Sequence, residues 1–344
     1  MDNDHFLHEA LNENARLLLE CNDNIGQMKL AVDRLYQIYS RITGVTVDCH
    51  EDDKDIILPT GKAISTPAAA HCLLEMKRTA LFLRGIHKAI SLKLSENKIK
   101  PIRILYAGTG PFGTLLVPLL PLYKPGEVQV DLLDIQQSSL VALLELTGKL
   151  GLEEYIDEVY NADATDFNIS KRYDIVICET MLACLRSEPQ VAIMQNLIPQ
   201  LDKACIFIPE EISIDACLTN PKMEMERMLY YENEAPVFER KLLGNVFTIN
   251  KLNLENILSH IKITIPDDME AFPVLKLFTT VHIFGNEVLT DNDSSITLPK
   301  QFYDFRKQRA REVEFWYVQG EKPKIESSIT ELALFQEFIT TGLS

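Results

Sequence analysis

Two carboxylates, Glu179 and Glu188, stand 188 − 179 = 9 positions apart in the segment C-E-T-M-L-A-C-L-R-S-E-P. If the loop between them returns both to one pocket, they can grip a guanidinium or an amine bidentately and fix the direction of its nitrogen. The plainer reading makes Glu188, which precedes Pro189, an ordinary acid at a helix start. Upstream, the stretch I-R-I-L-Y-A-G-T-G-P-F-G carries Gly108, Gly110 and Gly113 with Thr109 between the first two, a G-x-G-x-x-G turn. Such a turn lets the backbone approach a nucleotide closely, although glycine turns also close ordinary βα units. Asp134 follows 134 − 113 = 21 residues later with Ile135 behind it, where an acid can accept both hydroxyls of an adenosine ribose or can simply cap a strand. Asp163 and Ala164 come after the third strand, at the place for an adenine amine or for a turn cap. To this point NAD and S-adenosylmethionine (SAM) fit equally, since both present adenosine.

A parallel sheet would have to bring these residues together. Ile102, Ile104 and Leu105 form a short apolar run suited to a buried parallel strand. Thr114 to Leu120 should start a helix with free N–H groups, which Pro118 and Pro121 disturb or end. Further strands are expected at Val128–Leu133, around Val159 and Tyr160, at Tyr173–Cys178 and at Ala204–Ile208, with helices near Ser138 and over Pro189–Leu201. Strands alternating with helices mean an α/β fold with a Rossmann-like sheet.

Before it, residues 1 to about 47 show helical spacing. Glu51 to Lys54 reads as a charged loop, and Pro59-Thr60-Gly61 as a turn after Ile56, Ile57 and Leu58. Ser65-Thr66-Pro67 signals a helix running to about Leu94. After about 212 the texture becomes β: Ser213–Leu218, Lys276–Phe284 and Glu312–Val318 alternate, with turns at Gly285-Asn286 and Asp291-Asn292-Asp293. The expected division is a helical region 1–100, a Rossmann-like nucleotide-binding domain 101–211 and a mainly-β substrate or dimerisation domain 212–344. Residues 1–47 could serve as lid, dimer face or partner site, and a homodimer fits this layout.

The 344 residues carry 34 basic and 50 acidic side chains, a net charge of −16. That surface repels nucleic-acid phosphate and suits a cationic substrate, or serves solubility alone. No apolar run reaches the roughly 18 residues of a membrane span, and the acidic N-terminus lacks a signal-peptide layout. Seven cysteines without a C-x-x-C pair read as reduced thiols in a cytoplasmic protein, with Cys178 and Cys184 as core packing. The seven histidines show no ligand spacing, so no metal is expected.

Glu179-x-Met181-x-x-x-Leu185-x-x-Glu188 resembles the double-glutamate loop of the protein arginine N-methyltransferases, and Leu74-Glu75-Met76-Lys77-Arg78-Thr79 resembles that family's Arg-Thr helix. The likeness covers roughly residues 65 to 215. It implies SAM as cofactor, with Arg78 holding its carboxylate, Gly108 and Gly110 giving the backbone approach, Asp134 the ribose contact and the two glutamates the substrate nitrogen. The chain departs from the pattern in three places. Tyr106 stands where most such enzymes have an acid, the N-terminal Tyr-Phe motif is not evident, and Thr280-Val281-His282 is a poor substitute for the Thr-His-Trp loop, Trp316 being the single tryptophan. These gaps leave a small guanidine, amino acid or amine as suitable a substrate as an arginine in a protein. The other readings are an O- or C-methyltransferase of a small metabolite, a NAD-dependent oxidoreductase and a non-catalytic SAM-fold binding protein.

Overall fold

Two helices, α1 (Asp2–Glu20) and α2 (Ile25–Thr43), open the chain as a hairpin in the computed structural model, which describes residues 2–46, 54–96, 101–228, 240–307 and 310–331. The expected charged loop at 51–53, Cys49 and the last part of the β domain, 332–344, lie outside the described residues. Asn22 and Asp23, at φ 44° and 62°, break the helical run, and the Asn24 side chain caps α2 by accepting from Gln27 N at 3.0 Å. The buried stripe Met28, Ala31, Val32, Leu35 and Tyr39 sinks α2 into the same core as the rest of the chain. Tyr36 and Tyr39 meet Phe112 edge-on at 5.8 and 5.5 Å.

A short hairpin follows, β1 (Ile56–Leu58) paired antiparallel with β2 (Gly61–Ala63). The single helix expected from Pro67 to Leu94 is instead divided. α3 (Thr66–His71) runs into a 3-10 turn at Cys72–Leu74, Glu75 leaves helical geometry at ψ 78°, and α4 (Met76–Glu96) starts afresh. The break has local causes: Thr79 Oγ1 donates to Leu73 O at 3.0 Å, and the Glu75 carboxylate accepts from Ser295 N at 2.9 Å. It leaves Arg78 in the first turn of α4.

The central sheet is fully parallel, in the order β5 (Ile156–Asn161), β4 (Val128–Asp134), β3 (Ile102–Ala107), β6 (Ile175–Cys178), β7 (Ile206–Ile208). The order reverses beside β3, so the crevice at its carboxyl end is the place for a ligand. α5 (Gln137–Lys149) and α6 (Gln190–Leu197) provide the crossovers. The helix expected after the glycine turn does not form. Leu116 N and Val117 N both close onto Gly113 O at 2.9 Å, and the two prolines allow only a 3-10 helix, Val117–Leu122.

The chain then leaves the parallel sheet for a β-rich region. β8 (Glu211–Thr219), β9 (Lys241–Asn250), β11 (Val274–Phe284), β12 (Glu287–Leu289) and β13 (Lys300–Asp304) form one antiparallel sheet. β10 (Ile261–Thr264), β14 (Ala310–Val318) and β15 (Lys324–Glu331) form a second. Their inner faces meet through aromatic pairs, Phe247 with Tyr317 at 5.1 Å and Phe302 with Phe315 at 5.7 Å. α4 joins the two halves: a Cβ on Gly85 would lie 2.6 Å from Ile283 Cγ2 of β11, so only glycine allows this approach. The architecture is thus the expected mixed α/β fold with N-terminal helices and a β-rich C-terminal part.

Candidate active site

A cavity of about 330 Å3 opens at the carboxyl ends of β3, β4 and β6, within the size range of small-molecule sites. Gly108, Thr109 and Gly110 form its floor, with Asp134, Ile135, Asp163 and Ala164 along one side. Arg78, Glu179 and Glu188 line the other end. Gly108 at φ 75° and Gly110 at φ 60° need the left-handed region, and a Cβ on Gly108 would lie 2.5 Å from Thr180 Cγ2. Gly113 does not line the cavity. Its missing Cβ would meet Val117 Cγ2 at 2.5 Å and Leu143 Cδ1 at 3.0 Å, so this glycine serves the packing of the turn on α5.

Asp134 is buried at the end of β4. Its Oδ2 accepts from Gly110 N at 2.8 Å and Thr109 Oγ1 at 3.3 Å, and its Oδ1 from Gln136 N at 2.8 Å. Burial raises its pKa, while those hydrogen bonds to the charged form act against the shift. Asp163 accepts from Thr165 N at 2.8 Å, the turn-capping role. Tyr106, at the position of an expected acid, lines the cavity fully buried, and its hydroxyl accepts from Leu115 N at 3.4 Å.

Both glutamates come to the cavity wall, with residue exposures of 6% each. Arg78 Nη2 lies against Glu179 Oε2, whereas Arg78 Nε and Glu179 Oε1 are buried without a hydrogen-bond partner among the described residues. Burial pushes the Glu188 carboxyl up to about 7, with Arg78 and Lys62 pulling it down. The loop carrying these groups is strained: Cys184, Leu185 and Ser187 take φ of 58°, 53° and 68°. Such residues cost about 1–3 kcal/mol each and persist only where the surroundings hold them. Here Thr279 Oγ1 accepts from Cys184 N at 3.0 Å, Tyr317 Oη donates to Leu185 O at 3.2 Å, and Pro323 O accepts from Ser187 N at 2.8 Å. The β-rich region therefore shapes the loop from outside.

Four contributors, Gln190, Lys62, Ser295 and Ile296, could not be anticipated from the sequence. Gln190 is fully buried and bridges the loop ends, accepting from Thr180 N at 2.8 Å and Thr180 Oγ1 at 3.2 Å and donating to Cys178 O at 3.2 Å. Nothing in the local sequence distinguishes it from another helix-start residue. Lys62, on the β1–β2 hairpin, lines the cavity; Gly61 was its only signal. From the β-rich region Ser295 and Ile296 reach the cavity, whereas His282 does not line it. Burial pushes the Cys178 thiol up to about 12, consistent with its packing role. Among the described residues no cluster of His, Cys, Asp or Glu could hold a metal ion, and no helix is long and apolar enough to cross a membrane.

No family model matches the chain, and no curated protein does. Among solved structures, it is similar to one described as the Trypanosoma brucei PRMT1 enzyme–prozyme heterotetrameric complex with AdoHcy. The match covers 77% of this chain and 93% of that one at a TM-score of 0.51 and 15% identity. At that identity the likeness shows the fold alone: a parallel Rossmann-like sheet followed by a β-rich region.

Proposed function

We propose that the chain is a SAM-dependent methyltransferase that N-methylates a guanidino or amine group. The observation that carries the reading is one cavity with two chemically distinct ends: a glycine floor and buried Asp134 at one, the paired Glu179 and Glu188 at the other. The neighbouring solved structure, described with AdoHcy, adds a protein of the same fold associated with the demethylated cofactor.

The residues present fit such a cofactor. Asp134 would receive the ribose hydroxyls, Leu133 and Ile135 offer apolar surface for adenine, and Asp163 sits at the adenine end. Arg78, whose Nε lacks a partner among the described residues, would receive the amino-acid carboxylate and thereby exchange its contact with Glu179. Bound SAM supplies a methyl group already activated by the sulfonium. The protein's task is then to aim a nitrogen lone pair, exclude water and accept a proton. Glu179 and Glu188 would hold the cationic group and turn one nitrogen inward. Glu188, titrating near 7, suits the proton-accepting role at neutral pH.

Calorimetric titration with SAM, S-adenosylhomocysteine and NAD tests the cofactor. Binding of the first two and not of NAD is expected; the reverse pattern overturns the reading in favour of an oxidoreductase. Methyl-transfer assays on guanidines, amines and hydroxyl-bearing metabolites then test the acceptor, and transfer confined to oxygen or carbon would refute the nitrogen assignment.

A further inference from the structure

We infer that the acceptor is a small free amino or guanidino acid, its cationic end held by Glu179 and Glu188 and its carboxylate received by Lys62. This rests on the methyltransferase reading above and deepens it to a substrate class and a specificity-determining residue.

The β1–β2 hairpin lies directly on the loop that carries the glutamates. Lys62 N donates to Ser187 O at 2.8 Å, and a Cβ on Gly61 would stand 3.0 Å from the backbone of Ser187, Glu188 and Pro189. Gln136 Nε2 ties both ends of the hairpin to the end of β4, donating to Lys54 O at 3.1 Å and Ile64 O at 3.2 Å. Lys62 is thus presented by fixed backbone rather than by a free loop. Its side chain lines the cavity, and its Nζ contacts Asp55 Oδ2 at 2.6 Å, while Asp55 Oδ1 accepts from Ser65 N at 2.9 Å. Asp55 itself does not line the cavity, so this contact holds the Lys62 ammonium at the cavity's edge, where a ligand carboxylate would have to compete with Asp55 for it.

Exposure gives the order of charges along the cavity. The Glu179 side chain is 1% exposed and its partner Arg78 9%, whereas Lys62 is 32% exposed, which sets the acids and Arg78 inside and Lys62 nearer the mouth. In the cofactor reading above Arg78 is taken up by the amino-acid carboxylate of SAM, which leaves the acids to the acceptor. Glu188 feels Arg78, Lys62 and Arg186 as positive neighbours and Asp55 as a negative one; Arg78 is engaged with Glu179, and Arg186 is exposed and off the cavity lining. An inner acid pair and an outer ammonium complement a zwitterion entering cation first. A decarboxylated amine has no carboxylate to offer Lys62, whose ammonium then stays with Asp55. An arginine within a polypeptide would bring only a neutral amide to Lys62.

The full chain, loaded with S-adenosylhomocysteine, is titrated with L-arginine, L-lysine, their decarboxylated counterparts agmatine and cadaverine, and an end-blocked arginine peptide. At least one acid should bind about tenfold or more tightly than its decarboxylated partner and than the peptide, as one charge-assisted contact of about 1.5–3 kcal/mol allows. Lys62→Gln should abolish that preference by weakening the acid about tenfold and the amine less than about twofold; Lys62→Arg should restore it. Agmatine, cadaverine or the peptide binding as well as the acids, Lys62→Gln weakening all ligands equally, or no acid binding to the loaded protein would each overturn the inference while leaving the cofactor reading intact. Failure of S-adenosylhomocysteine to bind would instead overturn the parent reading and this one with it.

Discussion

Replacing Glu188 by Gln isolates the cost of keeping a carboxylate in the cavity wall. Burial raises that group from its ordinary 4.5 to about 7. Below about pH 4.5 the folded and unfolded chains both carry the proton, so the group contributes no difference. Between 4.5 and 7 the folded state holds the proton more tightly, hence stability falls as pH rises through this window, and above 7 the full penalty remains. The span of 7 − 4.5 = 2.5 pH units corresponds to about 3 kcal/mol at about 1.36 kcal/mol per unit. Glutamine keeps the shape without the charge. Glu188→Gln should therefore match the wild type at pH 4.5 and exceed it by up to about 3 kcal/mol at pH 8.5. With an unfolding entropy of about 2.1 cal/mol/K per residue, that is a rise in Tm of about 4 °C for a chain of this length. Calorimetric melts of the cofactor-free protein across that pH range read the difference directly. Parallel pH curves for the two proteins would refute the account, because the wild-type carboxylate would then not be carrying a burial penalty. The same variant should lose methyl transfer by about 100-fold or more, so the stabilised protein is the inactive one.

Other substitutions separate the parts of the site. Gln190→Leu removes three hydrogen bonds that close the glutamate loop, and should cost about 2–4 kcal/mol in denaturant unfolding while raising KM for the acceptor more than Kd for the cofactor. Gly108→Ala sets a Cβ against Thr180 at a left-handed φ and should abolish S-adenosylhomocysteine binding by calorimetry. Gly126→Ala, equally left-handed but with open space around the new Cβ, should cost about 1 kcal/mol in stability and leave that binding unchanged. Asp134→Asn cannot accept from both Gly110 N and Gln136 N through carboxylate oxygens, and should weaken cofactor binding about tenfold or more in the same titration.

The sheet was legible because parallel strands buried on both faces read as unbroken apolar runs. β6 is such a run and β3 is one but for Arg103, and each is followed directly by a residue type that changes the chemistry, Gly108 after β3 and Glu179 after β6. The elements that differed from expectation are those where side chains override periodicity. Thr79 and Glu75 divide one long helical pattern into α3 and α4, and two prolines turn the helix expected after Gly113 into a 3-10 segment. Strands β9, β10, β13 and β15 left a weaker trace, since edge and outer positions tolerate polar residues such as those of β15.

The site divides along the same line. Arg78 and the pairing of Glu188 with Glu179 were pointed to by the resemblance of their segments to a family's motifs. Glu179, Asp134 and the first two glycines could be named in advance because each follows or ends a strand of the parallel sheet, positions that topology brings to one crevice. Gln190 and Lys62 could not, since their importance comes from what lies opposite them after folding: Thr180 and Cys178 for the one, Ser187 and Asp55 for the other. The residues that could be anticipated are those suited to chemistry shared by many nucleotide-binding sheets. The residues that could not be anticipated hold the strained loop and flank its mouth, which is where one acceptor is told from another. If the acceptor is a free amino or guanidino acid as inferred above, its discrimination from a polypeptide rests on a three-residue strand, β2, whose sequence Gly-Lys-Ala acquires meaning only when it is seated on Ser187 and Glu188.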